Sequence, residues 1–164
     1  MIATGIGYDV HRLVMDRPLI LGGVRIEHSL GLEGHSDADV LCHAIADALL
    51  GAAGEPDIGH MFPNTDPSIR GISSLEILRK VRGRLDGLSV TINNVDAMLI
   101  AEEPRISPHL AAMKENIGSA LGLHPSFVGI KATTNESLGF LGRGEGMAAV
   151  ATACVDRLAH DQSP

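Results

Sequence analysis

Ser89–Ala101, SVTINNVDAMLIA, leads into Ser107–Leu121, SPHLAAMKENIGSAL, and then into Phe127–Thr133, FVGIKAT. The first and last of these read as strands and the middle one as a helix. Strand, helix and strand in close succession indicate helices layered on a sheet. Toward the C-terminus, Gly139–Gly146 is a glycine-rich loop. Met147–Leu158 is apolar and β-permissive, although its alanines leave helix open. Toward the N-terminus, Ser73–Leu85 is amphipathic, with Leu75, Leu78 and Leu85 on or near one face. Glu55–Pro67 is a loop dense in Pro, Gly, Asn and Asp. Asp39–Ala53 reads as a helix capped by Ser36 or Asp37 and stopped by Gly51 or Gly54. Pro18–His28 reads as a hairpin turning at Gly22-Gly23, and Ile2–Leu13 as a strand. The expected architecture is α+β, a two-layer α/β sandwich, with residues 1–164 as a single domain.

Hydrophobic residues make up 45% of the 164 residues but aromatic residues only 2%, so the core must be built from Ala, Val, Ile and Leu. Such a core favours close approach of backbones, including between subunits. The net charge of −7 argues against nucleic acid as a partner. It also means that a phosphate ligand would need local positive potential, from a metal ion or from backbone N–H groups. Cys42 and Cys154 form no CxxC pair, so neither a disulfide framework nor a cysteine zinc site is expected. MIATGIGYDVHRL lacks the features of a secretory signal, and no stretch is long enough to span a membrane. A cytoplasmic location is expected by default.

The sharpest local pattern is Asp9-Val10-His11. Residues i and i+2 of a strand share a face, so Asp9 and His11 converge while Val10 points away, into the core on this reading. Asp oxygen and His nitrogen are both zinc ligands. His43 is the candidate third ligand. Asp39 and Asp47 lie four residues to either side on the same helix face, placed as carboxylate partners for its second ring N–H. Cys42 is the alternative, but neighbouring helix positions diverge by about 100°, so Cys42 and His43 cannot both aim at one ion. Three protein ligands leave a position open, as in catalytic rather than structural zinc sites. On spacing alone, a polar strand end and a half-buried histidine explain the same residues.

A second cluster, Gly34-His35-Ser36-Asp37-Ala38-Asp39, places His35 and Ser36 where a helix N-terminus would face an anion. The plainer reading is a cap. A third, Lys131-Ala132-Thr133-Thr134-Asn135-Glu136, leads into GFLGRGEG (Gly139–Gly146). Two hydroxyls and a carboxylate at a strand end suit a phosphate chain with a divalent cation, and equally suit a solvated turn. Gly5-x-Gly7 lacks the rest of a dinucleotide fingerprint, and the later glycine loop lacks the P-loop lysine pattern.

Taken together, GYDVHRL (Gly7–Leu13), LGGVRI (Leu21–Ile26), GHSDADVLCHAIADALLGAAG (Gly34–Gly54), DIGHMFPNTDP (Asp57–Pro67), NVDAMLIAEEPRISPH (Asn94–His109) and KATTNESLGFLGRGEG (Lys131–Gly146) closely resemble the 2-C-methyl-D-erythritol 2,4-cyclodiphosphate synthase family. The segments fall in the same order over nearly the whole chain. The resemblance implies a stand-alone, metal-dependent phosphorus–oxygen lyase of the non-mevalonate isoprenoid pathway. It would cyclise 4-diphosphocytidyl-2-C-methyl-D-erythritol 2-phosphate and release CMP.

The resemblance also implies roles by position. Asp9, His11 and His43 would bind Zn²⁺, and Glu136 a second ion, Mg²⁺ or Mn²⁺. His35 and Thr134 would steady the transition state. Ser36, Asp57, Ile58, Gly59, Phe62, Pro63, Asn64, Thr65 and Asp66 would line the erythritol and phosphate pocket, to which Asn135 and Phe140 also belong. Ala101, Pro104, Arg105 and Ile106, with Thr133, would hold the cytidine. Arg143 and Glu145 would mark the polar end of a central cavity where an isoprenoid diphosphate can sit. The fold implied is ferredoxin-like, in a homotrimer whose sheets face that cavity and whose active sites are shared between chains. Asn64, Asn135 and the Glu102-Glu103 pair depart from residues common in the family. Two rivals stand beside this reading: a zinc hydrolase using an open Asp/His/His site, and a non-catalytic trimer that binds isoprenoid diphosphates. CMP release separates all three.

Overall fold

The computed structural model describes residues 1–63 and 65–157. The elements run β1 (Ile2–Val14), β2 (Leu19–Leu21), β3 (Val24–Ile26), β4 (Gly31–Leu32), α1 (Val40–Ala53), α2 (Ile58–Met61), α3 (Ser74–Gly87), β5 (Val90–Ile100), α4 (Leu110–Leu121), β6 (Val128–Thr133), α5 (Gly139–Gly142) and β7 (Gly146–Arg157). The main sheet has the order β4-β1-β7-β5-β6, and β2 and β3 form a separate hairpin. β7 is antiparallel to both β1 and β5, while β5 and β6 are parallel. The parallel pair follows from the α4 crossover, because parallel neighbours need a long connection. Met147–Leu158 is therefore strand in its described part; Leu158 lies outside the described residues.

Two layers are present, with α1, α3 and α4 packed over the sheet. The wiring of the principal elements is β-α-β-α-β-β, with two helices in the first crossover. The ferredoxin-like order β-α-β-β-α-β does not hold. β7, the last strand in the chain, inserts between β1 and β5. That pairing is made across the whole length of the chain, so no local pattern signals it.

The core is aliphatic, as the composition requires. Leu41, Ile45, Leu49, Leu78, Leu85, Leu99 and Ile117 are fully buried between the layers, and alanines of β7 pack under them. α1 is buried on nearly all sides. It lies close to β1 because two positions there lack a Cβ. A Cβ at Gly7 would fall 1.9 Å from the Ala44 carbonyl oxygen, and one at Gly5 would fall 2.1 Å from that of Ala48. The Gly5-x-Gly7 pair is thus a helix-packing device. Gly7→Ala must push α1 off the sheet and should cost about 3 kcal/mol or more. Urea unfolding measures it, and wild-type stability would refute this account of the helix–strand contact.

α1 begins one residue later than expected. Its N-cap is Asp39, whose carboxylate accepts the Cys42 N–H at 3.1 Å; Ser36 and Asp37 lie outside the helix. Gly54, in the left-handed conformation, closes the other end. α2 and α5 are single turns within the segments read as loops, too short for any periodicity to show.

On β1 the odd residues face α1, while Ile2, Thr4, Ile6, Tyr8, Val10 and Arg12 face outward. Val10 does not enter the core and is 40% exposed. Ile6 and Tyr8 beside it are 70% and 55% exposed. The sheet register extends this open face across Val150 and Met98, so one side of the sheet presents apolar side chains that the described residues leave uncovered.

Candidate metal centre and substrate pocket

Asp9 and His11 lie near the C-terminal end of β1, on the side covered by α1, and His43 projects from the first turns of that helix. The close packing at Gly7 and Gly5 brings the two elements near enough for all three side chains to meet. Asp9 Oδ2 lies 2.9 Å from His11 Nε2 and 3.0 Å from His43 Nδ1. The two ring nitrogens are 3.2 Å apart.

Each ring also has outer partners. His11 Nδ1 donates to the Glu33 carbonyl at 2.7 Å. His43 Nε2 faces the hydroxyls of Ser74 at 3.0 Å and Ser36 at 3.2 Å. The Ser74 hydroxyl in turn donates to the Asp37 carboxylate, which also accepts the Ser74 N–H at 2.9 Å. A neutral His11 therefore keeps its lone pair on the nitrogen aimed at Asp9, and a neutral His43 does so when its Nε2–H donates to Ser74. Three lone pairs converging at 2.9–3.2 Å repel unless a positive charge sits among them. A tetrahedral ion with bonds of about 2.0–2.1 Å would hold its ligand atoms about 3.3 Å apart, close to the triangle seen. Ring protons on His11 and His43 can supply that positive charge in the ion's place. Burial opposes ionisation of Asp9, but its hydrogen bonds and charge interactions with His11 and His43 hold its carboxyl far below the usual range. Burial lowers the His11 pKa, yet Asp9 outweighs it and the net shift is upward.

Asp39 and Asp47 do not serve His43. Asp39 is fully buried, caps α1 and accepts the Gly23 N–H at 2.7 Å, so it ties the β2–β3 turn to the helix. Asp47 accepts the Ile58 N–H at 2.8 Å and anchors the start of α2. Burial pushes both carboxyls up from their ordinary value. Cys42 is buried away from the cluster, and burial with the nearby Asp39 raises its thiol pKa well above normal. Ser74 is the residue that sequence reasoning missed. It follows Ser73, the α3 cap, and nothing local distinguishes a capping serine from one that holds a ring 31 residues away.

The triad opens into a cavity of about 240 Å³ lined by Asp9, His11, His35, Ser36, His43, Ile58, Gly59 and Phe62, with three isoleucines from the α3 side. The N-terminus of α1 is already occupied by the Asp39 carboxylate. That carboxylate takes the Cys42 N–H, and His35 and Ser36 line the cavity beside the terminus. Asp57 caps α2 and bonds His60, and Asp66 caps the Pro67–Ile69 turn. Those bonds lower both carboxyl pKa values. Pro63 and Thr65 lie on the same segment between the two caps; Asn64 falls outside the described residues.

The YgbB family model matches residues 2–156. A 2-C-methyl-D-erythritol 2,4-cyclodiphosphate synthase of Akkermansia muciniphila is 62% identical over 157 residues, covering 94% of this chain and 93% of that one. The synthase of Synechococcus elongatus is 56% identical over 153 residues, covering 93% and 96%. The chain belongs to the 2-C-methyl-D-erythritol 2,4-cyclodiphosphate synthase family. Among solved structures, the Plasmodium falciparum IspF CDP complex superposes with a TM-score of 0.83 at 33% identity, covering 95% of this chain and 96% of that one. The bifunctional IspDF of Campylobacter jejuni gives 0.92 at 40% identity, with this chain covering 43% of it.

The remaining residues singled out by resemblance to the synthase family lie elsewhere on the chain. Thr133 ends β6, and Ala101 follows β5. In register, Val10, Ala148, Ile100 and Thr133 form one row across the sheet. Thr133 is therefore three strand spacings, about 14 Å, from Val10 and on the open face. Asp9 and His11 occupy the other face. Pro104 and Arg105 follow Ala101 at the surface, and Ile106 is buried at the start of the next turn. Thr134 Oγ1 sits 3.4 Å from Glu136 Oε1. Phe140 is 44% exposed and shares a depression with Val10 and Arg12, while Arg143 and Glu145 form an exposed ion pair at 2.6 Å. Among the described residues, no helix is long and apolar enough to cross a membrane.

Proposed function

We propose that this chain converts 4-diphosphocytidyl-2-C-methyl-D-erythritol 2-phosphate to 2-C-methyl-D-erythritol 2,4-cyclodiphosphate and CMP. The substrate's 2-phosphate oxygen bonds to the β-phosphorus of the CDP group. The bond from that phosphorus to the CMP oxygen breaks, and CMP leaves with the electron pair. The attacking group is already an anion, so no base is needed; positioning and charge neutralisation do the work. The observation that carries this reading is the convergence of Asp9, His11 and His43 on one point at the mouth of a polar-ended cavity, within a chain of this family.

The donor set, one carboxylate oxygen and two imidazoles, suits Zn²⁺ with a position open to a phosphate oxygen. Bound there, zinc would supply positive charge to the phosphate. The chain's own residues orient and enclose. Glu33 and the Ser74–Asp37 pair hold the two rings, His35 and Ser36 face the phosphates, and Phe62 and the isoleucines exclude water. Asp57, Ile58, Gly59 and the Pro63–Asp66 segment border the erythritol end. Glu136 would hold the second divalent ion, with Thr134 beside it steadying the phosphorus as it passes through five-coordination. Ala101, Pro104, Arg105, Ile106 and Thr133 would take the cytidine. Thr133 lies on the opposite face of one chain's sheet from Asp9 and His11. That separation and the uncovered apolar face support a homotrimer in which each site is completed by a neighbour. Phe140 and the Arg143–Glu145 pair would then face a shared central cavity.

A metal-stripped preparation should release no CMP from the cytidine diphosphate substrate and should recover on adding Zn²⁺. Full activity without metal would overturn the proposal. Ser74→Ala should weaken zinc binding by about 10–100-fold, the usual cost of losing a partner behind a metal-bound histidine. Competition with a chromogenic chelator measures it, and unchanged affinity would show that the hydroxyl does not hold the ring.

A further inference from the structure

Asn135–Leu138 forms a turn closed by the Leu138 N–H on the Asn135 carbonyl at 2.9 Å. Both central residues are left-handed, Glu136 at φ 52° and Ser137 at φ 59°. That is the geometry of a type I′ turn, which favours Gly and Asn. Glu and Ser keep it only where the surroundings dictate it, and such strain gathers at functional segments. Three contacts dictate it here. Asn135 Nδ2 donates to the Leu138 carbonyl at 2.7 Å. Gly142 lies directly beneath, since a Cβ there would fall 2.1 Å from the Ser137 carbonyl carbon. From the other side, Glu102 Oε1 accepts the Asn135 N–H at 2.8 Å, and both residues are half-buried. Of the three, only the Glu102 contact comes from the segment that follows β5.

We infer that Glu102 is a positioning residue whose carboxylate locks the Glu136 turn onto the Ala101–Ile106 segment. This rests on the reading that those two segments take the metal-bearing diphosphate and the cytidine of one nucleotide. The bond fixes the spacing between the two ends of that ligand. It also aims the Glu136 carboxylate, which otherwise sits on an exposed turn able to relax to a less strained form. The acceptor is an ionised oxygen on a backbone donor, the stronger kind of hydrogen bond. Glutamine at position 102 retains an acceptor oxygen on the same stem, whereas alanine removes it.

The test titrates Mn²⁺ into zinc-loaded protein with saturating CDP, reading free Mn²⁺ by electron paramagnetic resonance. Glu102→Ala should weaken Mn²⁺ binding about tenfold, in the range for residues that act behind a metal ligand, with zinc content unchanged. Glu102→Gln should stay near wild type. Equal losses in both variants would mean that the charge matters rather than the bond, and no loss in either would mean that the turn holds itself; both overturn the clamp. Glu136→Gln, run beside them, checks the underlying reading. If it binds Mn²⁺ as wild type does, Glu136 is not the ligand, and the decision passes to a metal-free measurement. Hydrogen exchange at the Asn135 amide should be slow in wild type and Glu102→Gln and fast in Glu102→Ala. Equal rates in all three would overturn the clamp whatever Mn²⁺ does.

Discussion

Replacing His43 with alanine should abolish zinc binding and lower CMP release by about 10³-fold or more, at least the loss that follows removal of a single preorganised charge-stabilising group. The chain should remain folded. His43 lies at the junction of three elements, yet none of them depends on it. The Ser74 hydroxyl keeps Asp37 as its partner, and Ser36 Oγ keeps the Ala38 N–H at 3.0 Å. The α1 cap is the Asp39 carboxylate, and His43 meets Asp39 through its backbone N–H on the Asp39 carbonyl at 3.0 Å, a bond that alanine keeps. What the substitution removes is one corner of a triangle. Asp9 and His11 alone supply two ligand atoms 2.9 Å apart, too few to hold zinc against bulk chelators. Metal content by atomic absorption, CMP release and urea unfolding read the three parts separately. Retained zinc would place the ion elsewhere. Zinc lost with activity kept would remove the metal from the reaction altogether.

The candidate metal triad was legible because two of its members follow from strand geometry alone. Asp9 and His11 share a face at spacing two, although spacing alone fits a polar strand end equally well. Val10 was misplaced for an instructive reason. An apolar residue on a strand reads as buried, but the face carrying Ile6, Tyr8 and Val10 is the one the helices leave open. The apolar pattern reports what the strand needs to cover and does not say whether its own chain provides the cover. The partners of His43 were illegible for another reason. Asp39 and Asp47 stand at the right helical spacing, yet each is claimed by a backbone N–H brought in from another segment: Gly23 for one, Ile58 for the other. Ser74, which does the work, is joined to His43 only after α3 packs beside α1. The sheet order was hidden likewise, because β7 pairs with β1 over more than 130 residues of chain.

An acidic chain that handles a diphosphate needs its positive charge concentrated. The described residues that line the cavity include no Lys or Arg; its polar side chains are Asp9, His11, His35, Ser36 and His43. Arg17 approaches but is spent on the carbonyls of Leu32 and Ser36 at 3.1 and 2.9 Å, bracing the loop that carries His35. The proposed divalent ions resolve the difficulty, and they would also make the site depend on geometry, each met by phosphate oxygens from one side and by Asp9, His11, His43 or Glu136 from the other. Thr133 lies on the opposite face of the sheet from Asp9 and His11, which is why the proposed site is completed by a neighbouring chain.

That boundary can be tested by mixing two inactive proteins. His11→Ala loses a zinc ligand, and Pro104→Trp fills the proposed cytidine segment; each alone should be inactive. If every site takes zinc ligands from one chain and the nucleotide segment from its neighbour, co-refolded trimers contain some interfaces carrying both defects and some carrying neither. In an equal random mixture about a quarter of the interfaces should be intact, so about a quarter of wild-type activity should return. If each chain holds a whole site, every site keeps one defect and nothing returns. The open sheet face makes the first outcome the expected one. Ile6, Tyr8 and Val10 are too apolar and too contiguous for a surface that stays in water, and a second copy of the chain is the proposed cover. Mixed trimers are verified by tagging one variant and purifying through the tag. Tagged mixed trimers without activity would put the nucleotide segment on the same chain as the zinc.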